Sequence, residues 1–391
     1  MKYLLNFIAA LFLLLFNWQC SPNRPATLQW VRNIGGEAND FGYEVQCTSD
    51  GGYIIAGYTF SYGAGLNDVY LIKTDKNGRT LWTKTFGGTY WDVGYSLQQT
   101  SDGGYIMTGL RGTEGVGRYS KSDVYLIKTN SSGDAEWEKT FGGDGYDCAY
   151  SVVQTSDGNY IMAGYSGPSG TDSKDVYIVK TNHQGDTIWT RTFGAGEWDE
   201  AYSVRQTVSG DYIVVGYTQS FGSGSRDVYL IKINSEGDTI WTRTFGGDDW
   251  DEGKAVQQTR DNGYIITGST VSYGAGEWDV YLIKTDSLGD TLWTRTFGGE
   301  KYDIGMSVQE GSDGGFIVAG ITHSFGAGQG DIYLVKTDSL GDSLWSKVLG
   351  DAGSEGINSI QETSDDGYIM TGFVRVPGSD ASDVYLVKFK Y

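Results

Sequence analysis

Short apolar runs alternate with clusters of Gly, Asp, Asn and Ser along the chain after residue 27, and no stretch sustains a 3.6-residue apolar period. Runs of this length rich in Val, Ile, Tyr, Thr and Trp, bounded by turn-forming residues, predict β-strands and no helix. The runs come in fours. Over residues 94–141 the first, "GYSLQQT" (94–100), is polar, while "GYIMTGL" (104–110) and "DVYLIKT" (123–129) are apolar on both alternating faces. The fourth, "EWEKTF" (136–141), flanks its tryptophan with charge. The first two strands join through "SDG" and the last two through "NSSGD", short hairpin turns in which glycine supplies a positive φ.

The tryptophan of the fourth strand recurs at Trp30, Trp82, Trp137, Trp189, Trp241, Trp293 and Trp345, with five spacings of 52 residues and one of 55. Seven four-stranded antiparallel units of this length predict an all-β fold, a seven-bladed β-propeller over residues 28–391. The ordered part opens on a fourth strand, "LQWVRNIGG" (28–36), and ends on a third, "DVYLVKFKY" (383–391). The last blade therefore lacks the strand that the N-terminus has to spare, and the N-terminal strand is expected to close the ring. An open stack of repeats would need polar capping units at its ends, and the sequence displays none. Apolar faces on both sides of the second and third strands suit sheets covered by their neighbours. The polar first strand suits a water-lined axial channel, and Lys or Arg after each tryptophan guards an exposed edge strand. The seven tryptophans are expected to be structural. Burying about 150–250 Å² each at roughly 25 cal/mol per Å² gives a gross contribution of about 4–6 kcal/mol apiece.

Charge and termini narrow the setting. With 391 residues and no linker inside the repeats, one domain is expected. A net charge of -20 argues against a nucleic-acid partner, which demands a basic surface, and suits a soluble exported monomer. Residues 1–20 carry one Lys and an apolar stretch from Tyr3 to Phe16, ending at Cys20. That pattern predicts a secretory signal too short for a comfortable membrane span. Cys20 looks like the acylation site of a bacterial lipoprotein, although Trp18 and Gln19 are bulkier than that pattern prefers. Cleaved secretion and an uncleaved anchor are the competing readings, and residues 21–27 form a linker. Cys47 and Cys148 lie in non-adjacent repeats and are expected to be free thiols, and two histidines give little support to a histidine metal site.

The segment "KTDSLGDTLW", a strand, a glycine turn and a tryptophan opening the outer strand, resembles the tryptophan-docking repeat of quinoprotein-like propellers. The whole unit is similar to secreted bacterial and archaeal repeat proteins of the pattern "DGGYIIAGYT…DVYLIKTD…G…W", a largely uncharacterised group. The resemblance covers residues 28–391 and implies the fold. Quinoprotein dehydrogenases of this architecture usually have eight blades and a differentiated pocket, so quinone binding is not implied here.

Candidate chemistry falls on the longer loops, which share one face. An acid column, Asp40, Asp92, Asp147, Asp199, Asp251, Asp303 and Glu355, is expected around the upper channel mouth. Its members either fix their loops through backbone N–H groups or offer oxygen ligands for a cation such as calcium. An aromatic column, Trp91, Tyr146, Trp198, Trp250 and Tyr302, precedes five of these acids, joined by Trp278 and by Tyr62, Phe221, Tyr273 and Phe325. These rings either pack as lids on the blades or form a platform for sugars or apolar ligands. A second acid column (Asp68, Asp123, Asp175, Asp227, Asp279, Asp331, Asp383) starts each third strand, and lysines five residues on (Lys73 to Lys388) are expected to pair with acids of the opposite turns. No nucleophile with its base is visible. The sequence points to a non-enzymatic cell-envelope or surface lipoprotein that binds or scaffolds protein or glycan ligands through its loop face. A glycosidase-like enzyme on the same ring and a purely structural envelope protein are the rivals.

Overall fold

The computed structural model describes residues 27–114, 121–168, 173–375, 378 and 380–390; the leader with Cys20 and residues 21–26 lie outside the described residues. Those described form 28 β-strands and no helix. In the first repeat β2 (Asp40–Cys47), β3 (Tyr53–Thr59), β4 (Asp68–Thr74) and β5 (Thr80–Phe86) pair antiparallel in chain order. The same order recurs in groups that begin on β6 (Asp92–Gln99), β10 (Tyr146–Gln154), β14 (Asp199–Gln206), β18 (Asp251–Gln258), β22 (Asp303–Glu310) and β26 (Ser354–Thr363). One parallel bridge, Ser122 with Tyr146, links the second group to the third in a single sheet. In the last group β1 (Thr27–Ile34) lies antiparallel beside β28 (Asp383–Lys390), with Trp30 opposite Lys388.

Second and third strands are buried almost throughout, and fourth strands are half-exposed. Their apolar faces meet between sheets: Ile54, Ala56 and Leu71 of the first repeat pack with Leu97, Met107 and Ile127 of the second. Ile369, Val384 and Leu386 of the last repeat pack with Val45, Ile55 and Ile72 of the first. Each repeat tryptophan reaches across the same gap. Trp82 sits 6.2 Å from the Tyr105 ring, and Trp30 sits 6.1 Å from Tyr53. The indoles are half-buried, so each contributes less than the full-burial figure. At the turn glycine Gly133, with φ +79°, a Cβ would stand 2.6 Å from the Trp82 ring, which explains why the turn carries glycine.

The lysines of the third strands, six of the seven buried, reach the acids of the first hairpin turn: Lys73 lies 2.9 Å from Asp50, Lys336 2.8 Å from Asp313 and Lys388 2.7 Å from Asp365. Edge-strand cations bridge to the neighbouring sheet, as Lys84 does to Asp134 at 2.7 Å. Being solvent-exposed, each such pair adds at most about 1 kcal/mol.

Every inner strand carries a β-bulge. In β2 the register slips between Gly42 and Glu44, leaving Tyr43 as the extra residue, and in the other inner strands the extra residue is Tyr95, Tyr150, Tyr202, Lys254, Met306 or Asn358. A bulge bends the strand and re-aims the inserted side chain. It also pushes a carbonyl toward the second strand, where Gly57, Gly109, Gly164, Gly216, Gly268, Gly320 and Gly372 stand. A Cβ on any of them would lie 1.7 to 1.9 Å from that carbonyl oxygen.

Gly216→Ala, whose Cβ would fall 1.8 Å from the Glu200 carbonyl oxygen, must therefore displace backbone. A loss of about 3 kcal/mol or more is expected in urea unfolding. A loss below about 1 kcal/mol would mean that the bulge is soft.

Candidate functional site

The acid column is buried, at 0–2% exposure, and distributed one acid per junction between sheets. Asp92 Oδ2 accepts from Gly88 N at 2.6 Å, and Asp251 Oδ2 accepts from Gly247 N at 2.9 Å and the Ser272 hydroxyl at 2.6 Å. The serine of each TxS(Y/F)G(A/S)G loop thus fastens an acid of the adjoining loop, as Ser61 fastens Asp40 at 2.7 Å and Ser324 fastens Asp303 at 2.6 Å. The second acid column holds its own loop: Asp68 Oδ2 accepts from Ala64 N at 2.8 Å.

The two acid columns meet. A Cβ on Gly87 would fall 2.4 Å from Asp92 Oδ2 and 2.6 Å from Asp68 Oδ1, and Gly35, Gly194, Gly246, Gly298 and Gly350 likewise have an acid of each column alongside. This crowding requires glycine after the phenylalanine, leucine or isoleucine that ends these fourth strands. Oδ1 of Asp40, Asp92, Asp147, Asp251 and Asp303 is buried without a hydrogen-bond partner among the described residues. Burial pushes Asp92 up to about 6 against the pull of Gly88 N–H and Arg111, with Asp68 adding to the rise. Burial likewise lifts Glu355 to about 7, with Asp351 and Asp331 nearby. Among the described residues no group of three or more His, Cys, Asp or Glu is arranged to hold a metal ion. Each acid is held in its own junction by loop amides, beside an acid of the second column, at the start of an inner strand.

The aromatic column divides between packing and exposure. Trp91, Trp250 and Tyr302 are 40%, 44% and 46% exposed, whereas Tyr146, Trp198 and Trp278 are half-buried. Five of the six meet a neighbouring ring or cation. Trp91 meets Phe60 at 6.0 Å, Trp250 meets Trp278 at 6.1 Å, and Tyr302 meets His323 at 6.2 Å. Arg226 lies over Trp250 at 4.6 Å and Lys174 over Trp198 at 4.9 Å, favourable cation–π arrangements. In the other loop Tyr62 and Tyr273 donate their hydroxyls to Gly35 O and Gly246 O, both at 2.8 Å, and remain nearly half exposed. The result is a set of rigidly held rings on one face.

A second locus was not anticipated from the sequence. One cavity of about 100 Å³ is lined by residues of all seven inner strands, the bulge residues among them. Tyr43, Tyr95, Tyr150 and Tyr202 stand in an arc at successive ring separations of 4.8, 4.9 and 5.0 Å, and Lys254 caps it 3.8 Å from the Tyr202 ring. Glu44 and Arg205 line the same space. Burial pushes the Glu44 carboxyl up, opposed by Arg205, Ser96 and the Leu97 amide, whose N–H it accepts at 2.9 Å. In the wall behind, Glu252 pairs with both Arg226 and Lys254, and Lys174 pairs with Glu200 at 3.1 Å. Aligning the inner strands reveals the signal: Glu44, Arg205 and Lys254 stand where most repeats carry Ser, Gln and Tyr.

No protein-family model matches the chain. Regulatory protein FlaEY of Caulobacter vibrioides is 28% identical over 174 residues, which are 39% of this chain and 18% of that protein. An uncharacterised WD repeat-containing protein of Acanthamoeba polyphaga mimivirus, L264, is 19% identical over an alignment covering 90% of this chain and 31% of that one. The chain thus spans less than a third of either relative's length. Among solved structures, BBS1N, crystallised in complex with ARL6DN, superposes with a TM-score of 0.50 at 9% identity, over 93% of this chain and 96% of its own. Repeated four-stranded antiparallel sheets, WD-repeat similarity and this likeness of fold define a β-propeller repeat protein.

The two carboxylate sets give pH dependence opposite signs. Asp92 and Glu355, raised in the fold, contribute stability below about pH 4, the unfolded range, and lose it as pH rises through 6 to 7. Burial raises Asp50, Asp102, Asp157 and Asp261, but hydrogen bonds outweigh it, from threonine hydroxyls, backbone amides and the buried lysines, and hold them at about 2. Their contribution is present above about pH 4 and is lost toward pH 2. The thermal midpoint should peak near about pH 4 to 5 and fall on either side, and Asp92→Asn should flatten the high-pH decline. A midpoint that climbs steadily from pH 4 to pH 8 would contradict this assignment.

Proposed function

We propose that the chain is a non-enzymatic binding module, a closed seven-bladed propeller that engages a partner protein through its loop face. The observation that carries this reading is the set of rings, Trp91, Trp250, Tyr302, Tyr62, Phe221, Tyr273 and Phe325, each 40–47% exposed on loops fastened by buried acids. Exposed aromatics that are already immobilised cost little conformational entropy on binding, which is why such residues dominate protein interfaces. The fold likeness to a protein crystallised with a partner supports the choice of a protein over a glycan. Closure is supported by β1 pairing with β28 and by last-to-first hydrogen bonds, Val45 N to Ser359 Oγ at 3.4 Å and Asn358 Nδ2 to Gly42 O at 2.8 Å. Export with acylation at Cys20 completes the proposal, on the strength of the apolar leader.

The test is comparative. Full-length protein and a Trp91→Ala, Trp250→Ala, Tyr302→Ala variant are used as bait on envelope extracts and glycan arrays. A protein captured by the parent should fall by about tenfold or more with the variant at unchanged thermal midpoint. Equal capture, or binding confined to glycans, would overturn the protein-partner reading. Fatty-acid labelling that survives Cys20→Ser would overturn the anchor.

A further inference from the structure

The inner strands follow a rule that two repeats break. Five of the seven carry a glutamine whose Oε1 accepts the N–H of the next inner strand: Gln46, Gln98, Gln257, Gln309 and Gln361 receive Gln99, Gln154, Glu310, Glu362 and Cys47. In the third repeat Val153 fills this place and in the fourth Arg205 does. A guanidinium has no acceptor to offer, so Arg205 gives up the amide stitch to the next inner strand, bonds back to the preceding one, and brings its charge to the axial cavity near Glu44. Its Nη1 donates to Ser151 Oγ at 3.2 Å and to Val204 O at 2.8 Å, both uncharged. Two residues earlier the Ser203 hydroxyl, 3% exposed and lining the same cavity, has no hydrogen-bond partner among the described residues.

Lys254 adds to this. It occupies the bulge position that tyrosine holds in the four preceding repeats, and its partner Glu252 is shared with Arg226, so one carboxylate serves two cations. In the cavity and its wall Lys174, Arg205, Arg226 and Lys254 thus stand against Glu44, Glu200 and Glu252, four cations to three carboxylates in a chain of net charge -20. Beside the cations lies the tyrosine arc, and Ser307, Ser359 and Asn358 supply hydroxyl and amide groups to the same lining. A guanidinium pairs best with a planar carboxylate, and ring faces suit the C–H side of a hydroxylated body.

We propose that the axial cavity binds a small hydroxylated carboxylate, its anionic end on Arg205, Lys254 and the free Ser203 hydroxyl and its body against the tyrosine arc. The site is distinct from the exposed ring edges of the loop face, to which only Arg226, over Trp250 and paired with Glu252, connects it. Positions that break a repeat's own rule are where functional sites are expected.

The probes are D-glycerate and L-lactate, sized to a cavity of about 100 Å³, with glycerol as the neutral control, titrated calorimetrically into the full chain. Arg205→Gln is the decisive variant because it restores the glutamine of the other repeats, so its thermal midpoint should hold or rise. Saturable binding of at least one acid, weaker by about tenfold or more for glycerol and for Arg205→Gln, is expected. Tyr302→Ala should leave it unchanged. Absence of binding by both acids, equal affinity for glycerol, or full affinity in Arg205→Gln would overturn the site.

Discussion

The innermost strand of each sheet has a row of backbone N–H groups with no strand to receive them, and the whole architecture depends on how they are met. An unpaired buried amide costs about as much as a lost hydrogen bond, and an open edge invites foreign strands. Here the receiving groups are side chains of the preceding inner strand: Ser96 takes Val152 N and Ser151 takes Val204 N, both at 3.1 Å, while the glutamines take an N–H two residues further on. Because the stitches run sideways, from sheet to sheet around the axis, they tie each repeat to its neighbour at the narrow end of the wedge. The tryptophans and apolar second and third strands do the same farther out.

The bulge follows from this and also frees a side chain for other work. By inserting one residue, the inner strands other than β14 keep a serine or glutamine turned toward the neighbour while the extra residue lines the cavity. Sheet integrity rests on the second-strand glycine and the flanking positions, so the bulge residue itself varies: tyrosine four times, then Lys254, Met306 and Asn358. Chemical differentiation collects where the scaffold is indifferent. The loop face shows the converse, since its acids are consumed in fastening loops and only the outer edges of its rings stay open.

The strands, their grouping in fours and the lysine pairs with the turn acids were legible because each is written in the repeat itself, as apolar alternation or as charge at a fixed spacing. The second-strand glycines were equally plain in the sequence, yet their cause was not: only the approach of the Phe41 carbonyl to Gly57 reveals a bulge. The meeting of Asp68 with Asp92 escaped notice because the two acids belong to different repeats and come together only when the loops fold over one glycine. Glu44, Arg205 and Lys254 were overlooked for the opposite reason. A reading built on what recurs passes over the few places where the pattern fails, and those places line the axial cavity.

The ring itself is the claim on which the rest stands, and hydrogen exchange measured by mass spectrometry on a chain lacking residues 27–36 tests it most directly. If the N-terminal strand locks a closed circle, removing it should lower amide protection in β28, in β26 and in β2 together, because the last and first inner strands are stitched to each other. Loss confined to β28, with β2 as protected as in the intact chain, would mean that the sheets form an open array and that closure is not what holds them.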